Sequence, residues 1–242
     1  MVLKLSVRSN IVDTYLRITV GCIWQWLRYN QYLNKCSNIK IASLTQVIAM
    51  PRNISFKADT VLADAIQLFW RKGYQATSVR DLSQVTHLHP GSFYHSFGNK
   101  KTFFLAVTDY YYKQLTGNIN QQLATTKDSI KLLSEFFEKI VIDTDSANIR
   151  GCLLVNTLLE MSQDADIQTH IAAMFSGLEE MFYWILVSGQ KNKQIPTKLN
   201  CRAQAQLLVN DYFGLRVQSM TEKTESELKQ LVQLRIRQMS DG

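Results

Sequence analysis

Residues 77–97 read TSVRDLSQVTHLHPGSFYHSF, and the fold turns on how this stretch divides. Ser78 and Asp81 have the spacing of a capping box, with Asp in place of the stronger Glu, so a helix is expected to start beside them. Val79, Leu82 and Val85 give that helix one apolar edge. THLH (86–89) breaks the pattern. Pro90 then suits the first position of another short helix, predicted over 90–96. On it Phe93 and Phe97, four residues apart, share a face that can anchor the helix to a core. Tyr94 and His95 project outward, where their polar tips can reach backbone oxygens.

The flanking segments give this pair its setting. Upstream, DTVLADAIQLFWRKG (59–73) repeats Val61, Leu62, Ala65, Ile66 and Phe69 at three- and four-residue steps, one face of a helix. Asp59 is placed to cap its start and Gly73 to end it in a left-handed residue. Arg71 and Lys72 stand in the last turn, where cations suit the dipole. Downstream, NKKTFFLAVTDYYYKQL (99–115) begins a longer helix with Asn99 as cap. Two short helices joined by a tight turn after a longer one make a helix-turn-helix, whose second helix enters the DNA major groove. Gly91 then lets backbone approach phosphate, and Ser92 offers a small polar group to a base edge or a phosphate. Lys100 and Lys101 oppose the dipole of the helix they open, which an anionic neighbour would explain.

Composition bounds the rest. With 242 residues, 46% hydrophobic and 19% charged, the chain can bury a sizeable core. Ten Gly and three Pro disfavour long β-meanders and disordered linkers. The net charge of +7 is uneven: +5 over residues 1–49, +3 over 50–112 and −1 over the remainder. A basic front points to a polyanion there. None of the four cysteines forms a C-x-x-C pair, so reduced thiols and a cytoplasmic location are expected. No nucleophile–base pair, paired carboxylates or glycine-rich phosphate loop stands out, so no enzyme activity and no cofactor are expected. His87, His89 and His95 raise a metal reading, but no Cys or carboxylate lies at ligand spacing and the helix-turn-helix already accounts for the segment. Residues 1–49 read as an extension upstream of the folded unit, non-native or disordered, so that a chain starting at Met50 should carry the fold and its DNA binding. Their uncharged stretch, 18–27, is half the length a membrane span needs, and no membrane partner is expected.

VLADAIQLFWRKGYQATSVRDLSQVTHLHPGSFYHSFGNKKTFF (61–104) resembles the DNA-binding domain of the TetR/AcrR family of bacterial transcriptional regulators. The shared pattern is an amphipathic helix ending in F-x-x-x-G-Y, then A-T-S-V-x-D-L, then G-S-F-Y-x-x-F-x-x-K, without gaps over about 56–105. The resemblance implies an all-α fold: a three-helix helix-turn-helix domain over 54–114, its motif at about 77–96, then a larger helical ligand-binding and dimerisation domain over 115–242. It implies phosphate contacts from Thr77, Ser78 and Arg80, a recognition face of His89, Gly91, Ser92, Tyr94 and His95, and a phosphate-binding Lys100. Two departures stand out. The family's turn glycine is His87 here, where a positive φ comes less easily. The usual Ser or Thr cap of the recognition helix is His89, which frees its ring for DNA.

Residues 115–242 read as further helices. IKLLSEFFEKIVID (130–143) is amphipathic, GCLLVNTLLEM (151–161) is nearly all apolar, and the long segment 167–190 aligns Ile167, Ile171, Met174, Leu178, Met181 and Ile185. Two more helices follow a break at Pro196. By resemblance this half binds an unidentified small-molecule effector, and its last two helices form a four-helix bundle in a homodimer. RGCLLVNTLLEM (150–161) also resembles one branch of the family, in which an Arg-Gly-Cys-Leu run opens a pocket helix. Rings and polar groups within apolar helices nominate Phe137, Asn156, Met161, His170, Phe175, Trp184 and Tyr212 as pocket residues, each with core packing as its alternative. Cys152, two residues from Arg150, is either a core filler or a thiol that senses oxidants or electrophiles. The expected function is a repressor that binds a palindromic operator as a dimer and is released by a small molecule. The alternative is a DNA-binding regulator whose back half binds a protein or senses oxidants or electrophiles through Cys152. A closed apolar cavity would favour the first, a filled core with an exposed apolar patch the second.

Overall fold

The computed structural model describes residues 58–240 except 124, 143–150 and 222. The expectations for residues 1–49, and for Arg150 as neighbour of Cys152, lie outside these. The described residues form nine α-helices and no strand: α1 Ala58–Lys72, α2 Val79–Thr86, α3 Pro90–Phe97, α4 Lys100–Leu123, α5 Ser129–Ile142, α6 Leu153–Glu160, α7 Ala165–Lys191, α8 Cys201–Gln218 and α9 Glu225–Ser240. The all-α expectation holds.

Local signals set most boundaries. Ser78 accepts the Asp81 N–H at 3.1 Å, and the Asp81 carboxylate accepts the Ser78 N–H at 2.7 Å, which completes the capping box of α2. The Lys72 ammonium at 2.7 Å, then the Ser78 hydroxyl and N–H, hold the Asp81 carboxyl well below the ordinary aspartate range. The cap's stabilisation is therefore fully present above the ordinary aspartate range and is lost only as pH falls through the lowered folded value beneath it. Gly73, at φ +80°, ends α1 as expected. Asn99 caps α4 by accepting the Thr102 N–H at 2.9 Å. Asp59 lies within the first turn of α1 and not ahead of it, so it acts on the dipole from inside.

Helices α1 to α3 close on the first half of α4 through a ring cluster. Phe103 packs against Phe97 at 4.5 Å and Phe93 at 5.0 Å, and Phe104 meets Phe69 edge-on at 4.7 Å. Phe69, Leu82, Phe93, Phe103 and Phe104 are essentially fully buried. The boundary expected at 114/115 falls inside α4, which runs unbroken through both parts. Its second half supports α5, and α7 forms the centre of the larger part. Every member of the stripe Ile167, Ile171, Met174, Leu178, Met181 and Ile185 is buried. Although α7 is long and apolar enough to cross a membrane, here it is a core helix contacting α4, α5, α6 and α8.

The turn between α2 and α3 is set by His87, which adopts φ +55°, ψ +22°. The left-handed conformation costs an L-residue about 1–2 kcal/mol, less the entropy that glycine would lose on folding. His87→Gly should therefore raise stability by about 0.5–1 kcal/mol, and His87→Val should lower it by about 1 kcal/mol or more. Urea midpoints of the two variants check both signs.

Candidate nucleic-acid interface

The recognition helix α3 is held by its inner face alone. Phe93 is fully buried and Phe97 partly so, while His89, Gly91, Ser92, Tyr94 and His95 are exposed. A side chain at Gly91 would meet nothing within 4 Å, so the first turn of α3 is open to a large partner. His89 is the N-cap, in extended conformation, and makes no side-chain capping bond, leaving its ring at the surface. The five residues expected on this face thus lie together on one open side. Arg80 is exposed at the start of α2.

Three expected phosphate contacts have other engagements. Thr77 is 1% exposed and its hydroxyl donates to the Gly73 carbonyl at 2.6 Å, so its side chain holds the α1–α2 turn and is not presented outward. Ser78 is exposed, but its hydroxyl serves the cap of α2. Lys100 is turned inward. Its ammonium donates to the carbonyls of Tyr74 at 2.8 Å and Thr77 at 2.7 Å, with Gln75 at 3.5 Å, and lies 4.3 Å from the centre of the Tyr74 ring. Burial pushes its pKa down. The anionic neighbour that the lysine pair called for exists for Lys101: Asp164 at 2.8 Å and Asp166 at 2.7 Å.

The pocket candidates divide. A chain of rings runs Phe175–Phe213–Tyr212–Phe136–Phe137, each step 4.6–5.7 Å between ring centres. The Cys152 thiol lies 3.7 Å from the Tyr212 hydroxyl, which is 3.5 Å from that of Tyr111. This gathers Phe137, Cys152, Phe175 and Tyr212. The others lie apart: His170 contacts Thr108 at 3.2 Å and Asp109 at 3.3 Å, Trp184 packs on Tyr183, and Met161 faces Gln75. Asn156 is part-buried, its amide oxygen 3.8 Å from where a Cβ on Gly151 would lie.

Sequence reasoning missed Arg216. It is 2% exposed and lies 5.8 Å from the centres of both the Trp70 and Tyr212 rings. Burial works against its charge, but Tyr111, Tyr212 and Cys152 around it more than offset that and raise its pKa. Burial, then the neighbouring Cys152, raises the pKa of both phenols. Helical spacing could have found it, because Arg216 continues the buried run Cys201, Ala205, Leu208 and Tyr212 of α8 at three- and four-residue steps.

The sequence pattern of the bacterial regulatory proteins of the tetR family matches residues 61–107. The HTH-type transcriptional repressor ComR of Escherichia coli (strain K12) is 28% identical over 182 residues, 74% of this chain and 85% of the relative. An uncharacterised HTH-type transcriptional regulator in the lacX 3' region of Lactococcus lactis subsp. lactis is 30% identical over 131 residues, 53% of this chain and 67% of the relative. Among solved structures, a cysteine-substituted TetR family regulator CifR, complexed with 26-base-pair operator DNA, matches with a TM-score of 0.68 and 22% identity. That match covers 78% of this chain and all of the other. The chain belongs to the TetR family of bacterial regulatory proteins, and with it to the DNA-binding transcriptional regulators.

Lys100→Ala should lower the stability of the DNA-free protein by about 1–2 kcal/mol, because partly buried carbonyls lose a charged donor. A denaturant melt checks it. A lysine that served only phosphate would leave the free protein unchanged.

Proposed function

We propose that this protein is a ligand-responsive repressor that binds a near-palindromic operator as a homodimer, in the cytoplasm, and is released by a small molecule. The observation that carries the DNA reading is the open face of α3, where His89, Gly91, Ser92, Tyr94 and His95 converge beyond a buried Phe93 anchor. ComR, by its name a repressor, and CifR, complexed with operator DNA, support it as relatives. The dimer reading is supported by α8 and α9. Leu207 and Val217 on α8 and Leu231 and Leu234 on α9 are 40–55% exposed, a poor state for large apolar side chains in water. A side chain at Gly214, between the first two along α8, would meet nothing within 4 Å. A groove of about 350 Å³ runs between α8 and α9, with Phe137, Leu215 and Val232 in its walls. The exposed apolar patch that would favour a protein-binding back half is thus present, and a second copy of the same helices is the occupant it fits.

In that dimer two α3 helices should meet major grooves about 34–36 Å apart. Arg80 and Tyr94 are assigned to phosphate, Ser92 and His95 to base edges, and Lys100 to positioning. Ser92→Ala and His95→Ala should each cost about 1–3 kcal/mol at particular base pairs and relax preference there. Arg80→Ala should weaken binding to all duplexes alike and lower the salt slope by about one. The measurement is a salt titration of each variant against a duplex selected from a random-sequence library and against its scrambled form. Unchanged binding by all three variants would remove α3 from the interface.

A second reading concerns the effector. Cys152 is 3% exposed, packed ring on ring through Tyr212, and shares its surroundings with the buried guanidinium of Arg216. The site suits an effector small enough to reach and modify the thiol. Cys152→Ser should keep operator binding and lose release by hydrogen peroxide or N-ethylmaleimide. Equal release from the variant would return Cys152 to core packing.

A further inference from the structure

Three of the four histidines of the chain lie within residues 87–95. His87 ends α2, His89 is the N-cap of α3 and His95 stands in the last turn of α3. All three are exposed, and among the described residues none of their rings enters a hydrogen bond or an ion pair. His87 is the sharpest case. It holds φ +55°, a left-handed conformation that glycine takes at lower cost. No hydrogen bond or ion pair of its ring within the fold offsets that strain. A strained, exposed side chain at the entry to a binding helix points to a partner outside the chain.

The lysines around this face are committed elsewhere. Lys72 pairs with Asp81 at 2.7 Å, Lys100 is turned inward to the carbonyls of Tyr74 and Thr77, and Lys101 pairs with Asp164 and Asp166. Helix α3 packs on α2 and α4. The carboxylates of those helices are Asp81, held by Lys72 and the α2 cap, and Asp109, against His170. Their cations are Arg80 on α2 and Lys100, Lys101 and Lys113 on α4. Residues 58–114 hold six Lys/Arg and four Asp, a net charge of +2 with the histidines neutral and +5 with all three protonated. For a surface that must meet a row of phosphates, the charge state of the histidines therefore outweighs the permanent net charge.

We propose that His87 is a further DNA contact and that, with His89 and His95, it binds DNA as imidazolium, so that seating α3 takes up protons and the operator is held more tightly in acid. This rests on the DNA-binding reading above, and it adds a residue and the charge state in which the face binds. An imidazole ordinarily titrates near about 6.5, and a phosphate oxygen beside it favours the charged form. The gain in affinity is then complete in acid and is lost as pH rises through the range where the DNA-bound rings give up their protons. Helix dipoles grade the three. They favour a cation at His87, at the C-terminus of α2, and at His95, in the last turn of α3, and disfavour one at His89, at the N-terminus of α3. An imidazolium donates from both nitrogens and accepts nothing, so His95 in that state selects base acceptors such as guanine N7 and O6.

The test is binding of the full chain, at fixed salt and at about pH 6, 7 and 8, to a duplex it has selected from a random-sequence library. Parent affinity should fall at least about 10-fold from the acid to the alkaline end. His87→Gly should lower affinity about 3-fold or more at the acid end and stay within about 2-fold of the parent at the alkaline end, although the DNA-free variant resists denaturant better than the parent. A merely structural His87 would leave the affinity of His87→Gly equal to the parent's throughout, and that result overturns the proposal. His95→Gln, whose amide stays neutral, should flatten the profile as well, and His89→Gln should flatten it less. The triple variant should bind with an affinity constant within about 2-fold across the range. A triple variant that keeps the parent's pH dependence overturns the proposal, as does a parent whose affinity ignores pH, and both results leave the DNA reading standing. A parent that selects no duplex defeats the DNA reading itself, and this proposal with it.

Discussion

Phe103 is the constraint on which the recognition helix depends. Helix α3 has eight residues, too few to be stable in water by itself. It exists because Phe93 and Phe97 clasp Phe103 at the start of α4, while Phe104, one residue on, reaches Phe69 of α1. Truncating a ring in such a packed cluster to Ala costs about 3–5 kcal/mol, a large share of a domain's net stability. The rings sit at the first turn of a 24-residue helix, so the DNA-facing surface is referred to a rigid rod. The other end of that rod lies in the larger domain.

Charge organises what the rings position. The loop of 73–77 presents N–H groups to one side and carbonyls to the other, and each set meets a full charge: Glu160 below the N–H groups, Lys100 above the carbonyls. Both side chains stand at helix ends whose dipoles disfavour them, Glu160 at a C-terminus and Lys100 at an N-terminus. Lys101 repeats the pattern and finds Asp164 and Asp166. Glu160 and Lys101, charges that look misplaced along the sequence, thus tie the two parts of the chain together, while Lys100 fastens α4 to the loop within the first part.

The interior of the larger part has a different character. Cys152, Tyr111, Tyr212 and Arg216 form a buried polar group inside a wall of rings. Low dielectric strengthens interactions among such groups and raises the cost of disturbing them. A change at the thiol therefore has a packed, polar and responsive surrounding.

Much of this was legible in order and spacing. The capping box at Ser78 and Asp81, the N1 proline of α3, the stop at Gly73 and the buried stripe of α7 are local or periodic signals. Backbone geometry and hydrophobic burial impose them wherever such sequences fold, so the sequence by itself determined the helices and the side of α3 that faces outward. It could not say where side chains with long reach end. The family resemblance implied phosphate contacts for Thr77 and Lys100, yet both side chains turn inward to carbonyls that only the folded α1–α2 turn presents. Glu160 carried no signal, since its partners lie 85–86 residues away, and helical spacing put Arg216 on the buried face of α8 without naming its partners, which come from three different helices. Tertiary structure alone decided these, because a hydrogen bond or a buried charge is specified by what converges in space, and convergence between distant segments leaves no period in the chain.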